Sequence, residues 1–432
     1  MNQYASMIRK LKTAPVMEQL SRLYGNRDGM LVEQTARYIS LLKRHEETFN
    51  SGDGPVFLIS APGRTEIGGN HTDHNRGKVL AAAVNLDTVS AVSARKDMTV
   101  HLHSDGYPAL VLNLSELSPQ PAEKGTTAAL IRGVAERMQQ LGYKIGGFDA
   151  VVTSNVSSGS GLSSSAAFEV LTCAILDKLY NGWSIDYKLR AQISQYAENV
   201  HFGKPSGLLD QMASAAGGLV FIDFKTDDPV VRPLNYDFSK KGYALAVVNT
   251  GGSHADLTDD YAAIPREMKQ VAACFDEEYL RRVRPEQITQ ELPRLRSKVS
   301  DRAIMRAIHF FQENKRVVQE AEALYRDDLP AFFEAIIASG RSSFMYLQNV
   351  YARPDDQSLS LALCLAEERL QGKGAWRIHG GGFAGTTLNF VPMTELPGFI
   401  EEMEGVFGTH KCQVLDIRPE GAWNCNAPVT IP

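Results

Sequence analysis

Three stretches of this sequence concentrate residues that can do chemistry. The first, Gly159-Ser-Gly-Leu-Ser-Ser-Ser-Ala166, lies between an expected strand and an expected helix. Small side chains there let the backbone approach a ligand, and the free N–H groups and positive dipole end of a helix start suit a phosphate. Hydroxyls at Ser163, Ser164 and Ser165 add hydrogen bonds for phosphate or a ligand for Mg²⁺. A flexible Ser/Gly linker is the plainer alternative. A linker, however, should not run straight into an apolar helix face such as Ala167, Val170, Leu171, Ala174 and Ile175. The second stretch, Arg64-Thr-Glu-Ile-Gly-Gly-Asn-His-Thr-Asp-His-Asn75, gathers an arginine, two carboxylates, two amides and two histidines around paired glycines. That density of donors and acceptors suits a polyol, with a polar surface loop as the bland reading. His71-x-x-His74 without a third ligand nearby is a poor metal signal. The third, Gly380-Gly-Gly-Phe-Ala-Gly385, fits GxGxxG, but the Thr387–Val391 segment after it reads as a strand where a dinucleotide fold needs a helix. It is a turn between strands, either a plain hairpin or, through the N–H groups of Gly381 and Gly382, part of a phosphate pocket.

The elements that must position these stretches follow from periodicity. Residues 31–42 repeat on one helical face, so the first fifty residues read as a helical cap without evident chemistry. Apolar runs alternate with Gly-rich turns from Val56 to Ala94, and Met98–His103 alternates strictly, as a half-buried strand should. Helices are expected at 126–141, after the Ser/Gly loop, at about 186–200 and from near Gly207. The composition turns polar at Asp227-Asp-Pro229, which places a boundary between an N-terminal domain, 1–230, and a C-terminal domain, 231–432. The second half reads as largely helical from 261 to 371, then as strand, glycine turn and strand at 375–391.

Composition narrows the partners. The formal charge of −5 gives no basic field for nucleic acid or an anionic membrane, so a small molecule is the better default. Five scattered cysteines lack metal or redox spacing and read as reduced thiols in a cytoplasmic protein. The run Val79–Val84 is too short to span a bilayer, and the first 27 residues lack the apolar segment of a signal peptide. A Walker A sequence, a protein-kinase catalytic loop and HExxH are all missing from the sequence.

In order and spacing, the three stretches resemble the signature motifs of the GHMP kinases, and within them the galactokinase branch. Ala61-Pro-Gly-Arg64 with Gly69-Asn-His-Thr-Asp73 is similar to the sugar-binding signature APGRxNxIGEHTDY. Gly159–Ala166 resembles the phosphate loop, with Ser157 in place of its usual proline, and Ser206-Gly-Leu-Leu-Asp-Gln211 resembles CGIMDQ. The resemblance covers roughly residues 55 to 420. It implies an α+β, two-domain fold: a ribosomal-S5-like N-terminal domain and a ferredoxin-like C-terminal domain, with ATP and sugar in the cleft between. It implies Asp210 as the catalytic aspartate and Arg64 beside it. Asn70, His71, Asp73, Gly207 and Tyr261, the last on the segment after His254, would meet the sugar. Gly159, Ser160, Gly161, Leu162, Ser163, Ser164 and Ser165, with Gly381 and Gly382, would meet the nucleotide. Ser164 and Glu198 would hold Mg²⁺. No nucleic-acid or membrane partner is implied, and a monomer or weak homo-oligomer is expected.

Besides Ser157, four positions depart from the family pattern. Asn70 stands where galactokinases carry a glutamate that accepts a bond from the sugar's 6-hydroxyl; Glu66 replaces an asparagine, His74 a tyrosine and Ser206 a cysteine. A hydrogen bond to a charged group is worth about 1.5–3 kcal/mol against about 1 for a neutral one, so Asn70 weakens the case for galactose. The expectation is phosphorylation of galactose at the anomeric hydroxyl. A kinase for N-acetylgalactosamine, arabinose or a uronic acid stays open, as does a non-catalytic sensor of galactose and ATP.

Overall fold

The computed structural model describes residues 3–27, 29–49, 54–157, 159, 161–251, 257–383 and 385–425. Its strands are β1 (Val56–Gly68), β2 (Lys78–Ala94), β3 (Thr99–Ser104), β4 (Leu110–Asn113), β5 (Phe148–Ser154), β6 (Leu219–Asp223), β7 (Val230–Leu234), β8 (Tyr243–Asn249), β9 (Ala375–His379), β10 (Thr386–Pro392), β11 (Cys412–Leu415) and β12 (Trp423–Asn424). One sheet has the order β12-β1-β2-β5-β3-β4, with β6 on β2 and β7 on β6; the other has the order β11-β8-β10-β9. The polar stretch at 227–229 is the turn between β6 and β7, so β7 stays on the first sheet, and β12 later returns to β1.

β2 organises the first sheet. Its apolar run Val79–Val84, buried throughout, lies along β1, while opposite its two halves stand β6 (partners of 78–82) and β5 (partners of 88–94). Alternation along β1 sends Ile59 into the cluster under the helices Thr127–Gln140 and Ser164–Tyr180, and Leu58 into a cluster under the N-terminal helices Ala14–Tyr24 and Met30–Phe49. A third cluster joins the sheets: Ile67, Leu80 and Leu162 meet Leu245, Val247, Leu388 and Phe390. The end of β1 and the Ser/Gly loop are thereby fixed against the second sheet. The expected helical region is Thr258–Ala273, Asp301–Tyr325, Leu329–Ser342 and Ser358–Leu370, with shorter turns between. Among the described residues no helix is long and apolar enough to cross a membrane.

The helical cap does carry polar chemistry. Asp87 of β2, wholly buried, accepts bonds from Tyr24 and Ser60 and pairs with Arg37 at 2.6 Å and Arg418 at 2.8 Å. Burial pushes its carboxyl upward, but the Arg37 and Arg418 charges outweigh that and hold it below the usual range. A buried pair broken on one side leaves an uncompensated charge, so Asp87→Asn is expected to cost about 3–5 kcal/mol in urea unfolding. The folded value is depressed, so the carboxylate's contribution is present above the unfolded pKa and lost as pH falls through the folded one. The variant should lack that acid-side loss, which unfolding free energy measured against pH would show.

Candidate active site

The Ser/Gly loop leaves β5 and enters the helix Ser164–Tyr180 through left-handed backbone at Gly159 (φ 75°), Gly161 (φ 72°) and Ser163 (φ 57°). Gly161 has no room for a side chain: a Cβ there would overlap Thr386 Oγ1 and come within 2.8 Å of His379 Nδ1. Leu162 is buried in the inter-sheet cluster and its carbonyl accepts the Arg64 N–H at 3.0 Å. That contact is possible because β1 bulges between Pro62 and Arg64, and a Cβ on Gly63 would approach the Leu162 oxygen to 2.9 Å. Left-handed φ is uncommon for serine, and its result at Ser163 is a hydroxyl that donates to Asp210 Oδ2 at 2.7 Å. Ser160 lies outside the described residues.

Asp210 sits in the first turn of the helix Leu209–Ala216, which Ser214 ties to β1 through the Pro62 carbonyl at 2.7 Å. Arg64 Nε donates to Asp210 Oδ1 at 2.6 Å, and Arg64 Nη1 donates to the Gly161 carbonyl. The two residues that the motif resemblance assigns to catalysis are therefore bonded to each other and to Gly161 and Ser163 of the Ser/Gly loop. Burial favours a neutral Asp210, yet the Arg64 charge and hydrogen bond, the Lys204 charge and Ser163 prevail and hold the carboxyl below its ordinary value. The result is an ionised carboxylate beside a fixed cation at a helix start.

Glu198 is 1% exposed and approaches the loop at Ser165, whose hydroxyl donates to Glu198 Oε1 at 3.1 Å. Ser165, not Ser164, is thus the serine paired with Glu198; the helix turns position 165 toward that carboxylate. Gln211 bridges Glu198 Oε2 (2.8 Å) and Glu169 Oε2 (3.0 Å), and Glu169 is held well above the usual range by burial and by Glu198. Oxygen donors of this kind fit a hard cation such as Mg²⁺. Among the described residues no three His, Cys, Asp or Glu side chains converge into a full metal cage. A site with one carboxylate suits a cation that completes its shell with nucleotide phosphates.

The polyol segment divides. Asp73 packs on Gly207, where a Cβ would overlap its Oδ2, and His74 N–H caps Asp73 Oδ1 at 3.0 Å. His71, left-handed at φ 57°, donates from Nε2 to the Gly381 carbonyl at 3.0 Å; burial and the His74 charge lower it to about 3, so the ring is neutral. Tyr261 donates to the Gly382 carbonyl at 2.8 Å. Asn70 is a correction. It is wholly buried, its amide nitrogen donates to Glu66 Oε1 (2.9 Å) and the Gly380 carbonyl (2.6 Å), and its oxygen accepts from Ser343 (3.2 Å) and Asn349 (2.9 Å). Those bonds fill the capacity of an amide and leave none for a ligand.

In the glycine turn the carbonyls of Gly381 and Gly382 face His71, Asn349 and Tyr261 and brace the polyol segment, while a Cβ on Gly380 would come within 3.7 Å of the Gly161 carbonyl in the Ser/Gly loop. Sequence reasoning also missed His379 and Arg377. His379 Nε2 accepts the Glu66 N–H at 3.3 Å, leaving Nδ1–H for Thr386 at 2.9 Å, and Arg377 pairs with Glu66 at 2.7 Å. A histidine and an arginine alternating in the strand just before the turn were the available signal.

Comparison with known proteins gives the family. Residues 43–94 match the galactokinase galactose-binding signature and residues 129–218 the GHMP kinases N terminal domain. A galactokinase of Lactococcus lactis, solved with galactose, superposes with a TM-score of 0.78 at 24% identity, covering 90% of this chain and 99% of that one. The mevalonate kinase of Methanococcus jannaschii gives 0.60 at 14% identity over 85% and 99%. The fold is that of the GHMP kinases. Human galactokinase is 33% identical over 86% of this chain and 93% of its own, and that of Streptomyces coelicolor 31% over 82% and 90%. The chain belongs to the galactokinase family, whose members are ATP-dependent sugar kinases.

The packing of Asp73 on Gly207 gives a test. A Gly207→Ala substitution must push Asp73 away, and misplacement of about 1 Å in such a site costs roughly a hundredfold in rate. We expect kcat/KM for the acceptor to fall by about that factor with the denaturant midpoint little changed, measured by coupled ADP release and urea unfolding.

Proposed function

We propose that the protein transfers the γ-phosphate of ATP to the anomeric hydroxyl of galactose, giving galactose 1-phosphate. The observation that carries this reading is the Arg64–Asp210 pair bound to Gly161 and Ser163 of the phosphate loop, at 2.6 Å to each other and 2.7 Å from Asp210 to Ser163. Phosphoryl transfer has a loose transition state, so alignment and charge stabilisation are what a protein must supply. Asp210, ionised, accepts the hydrogen bond of the attacking hydroxyl and directs its lone pair. Arg64 keeps Asp210 ionised and offsets charge on the group in flight. The N–H groups opening the helix Ser164–Tyr180 receive the nucleotide's phosphates. Ser165 and Glu198 would hold Mg²⁺, which when bound neutralises phosphate charge. Asp73, His71, the Gly207 backbone and Tyr261 frame the acceptor. Residues 1–230 supply the phosphate loop and catalytic pair, and residues 231–432 bring Tyr261 and the glycine turn across from them. The net charge of −5 and five unpaired cysteines support a cytoplasmic enzyme, which we take to be a monomer or weak homo-oligomer.

Coupled ADP release over a panel of hexoses and pentoses tests this. Galactose should be turned over, and Asp210→Asn should lower kcat by roughly 10²–10⁴, the range for a lost acid–base group, while ATP still binds. Turnover of another sugar with none of galactose would move the substrate.

One observation favours a related sugar as the second reading. Relative to the family pattern, Glu66 and Asn70 exchange a carboxylate and an amide, and here they bond each other at 2.9 Å. The family's carboxylate is therefore missing from position 70, and the amide there is already satisfied. Asn70→Glu alone should place two buried carboxylates together and lose activity, whereas the reciprocal pair Glu66→Asn with Asn70→Glu should recover it and raise preference for galactose over its 6-deoxy analogue. A double-mutant cycle on kcat/KM measures the coupling.

A further inference from the structure

The helix Tyr187–Tyr196 runs on into a π turn, Ala197–Phe202, that ends where Gly203 becomes left-handed at φ 83°. Such turns recur at functional sites because the extra residue re-aims the side chains around it. Here it buries Glu198 and doubles the chain back, so that the Lys204 N–H bonds the Glu198 carbonyl at 3.1 Å and Lys204 Nζ lies 2.9 Å from Glu198 Oε1. That same oxygen accepts the Ser165 hydroxyl. The carboxylate end is 2% exposed and the lysine side chain 56% exposed. A fixed, buried anion is thus met by a cation that reaches it from solvent.

We propose that Lys204 is an internal cation that fills the seat formed by Ser165 and Glu198 in the nucleotide-free protein and leaves Glu198 when the metal–nucleotide arrives. This rests on the reading of Ser165 and Glu198 as the Mg²⁺ ligands. Glu198 is a buried carboxylate whose neighbour Glu169 shares only the Gln211 amide with it, and a buried carboxylate needs a cation facing it. Lys204 supplies that charge while no metal does. Mg²⁺ demands close oxygen contacts in near-octahedral array, so an ammonium on the same carboxylate oxygen would be both a steric and a like-charge conflict. Lysine suits the exchange because its ammonium is a compact, hydrated point charge on a flexible stem.

Two equilibrium measurements without turnover test this. Calorimetric titration would follow ADP binding with and without Mg²⁺ to the wild type, to Lys204→Met and to Lys204→Arg, and thermal unfolding would follow each nucleotide-free protein. Removal of the competing cation should tighten Mg²⁺·ADP about fivefold in Lys204→Met, the factor for an ion pair worth about 1 kcal/mol. It should leave metal-free ADP binding unchanged and lower the nucleotide-free unfolding temperature. Lys204→Arg should stay near wild type in both. Weaker ADP binding by one factor with and without Mg²⁺ would make Lys204 a phosphate ligand, and unchanged binding would make it a surface residue; either overturns the proposal. Glu198→Gln with wild-type Mg²⁺ dependence would remove the seat itself, a failure of the metal assignment distinct from one of Lys204.

Discussion

An aspartate held ionised against one guanidinium is the constraint on which this molecule's site depends. Asp210 lies on a helix, Arg64 on a bulged strand, and the loop that would receive phosphate runs between them. The three are joined by Arg64 to Asp210, Arg64 to the Gly161 carbonyl and Ser163 to Asp210. A charged pair in a partly buried place needs its remaining donors and acceptors satisfied, and the loop satisfies them. Loop geometry and carboxylate position are therefore one property.

The surroundings keep that arrangement in a single charge state. His71, His379 and His309 are all pushed down first by burial, so each is a neutral ring near neutral pH and serves as a directed hydrogen-bond group. His309 Nε2 donates to the Asn70 carbonyl at 3.0 Å, His71 to Gly381, and His379 links Glu66 to Thr386. The His309–Asn70, His71–Gly381 and Glu66–His379 bonds cross between the polyol segment and the second half of the chain. The second sheet and the helix Asp301–Tyr325 thus act as a brace, and the inter-sheet apolar cluster supplies its burial.

Local patterns were legible in the sequence; long-range satisfaction was not. The phosphate loop could be proposed because glycine runs and a helix start are properties of neighbours in the chain, while the roles of Arg64 and Asp210 came from the motif resemblance. Asn70 was expected at the sugar because it lies in a polar segment at the position where the resembling family carries a sugar-binding glutamate. Its partners Ser343, Asn349 and Gly380 lie 273, 279 and 310 residues away, and only folding shows that they consume it. The bond from Ser165 to Glu198 was not foreseen, because helix phase at the first turn decides which hydroxyl meets that carboxylate. The cap looked inert since Tyr24 and Arg37 meet Asp87 from 63 and 50 residues away. At Asp227-Asp-Pro229 the chain makes the turn between β6 and β7, and a hairpin turn and a linker share a polar composition.

The most direct measurement is a crystal structure of the protein with galactose and a non-hydrolysable ATP analogue. The account requires the anomeric hydroxyl within hydrogen-bond reach of the Asp210 carboxylate, about 2.6–3.2 Å, and facing a γ-phosphate held at the start of the helix Ser164–Tyr180. A sugar bound with that hydroxyl turned away from Asp210, or a triphosphate seated elsewhere than the Ser163–Ser165 turn, would contradict it.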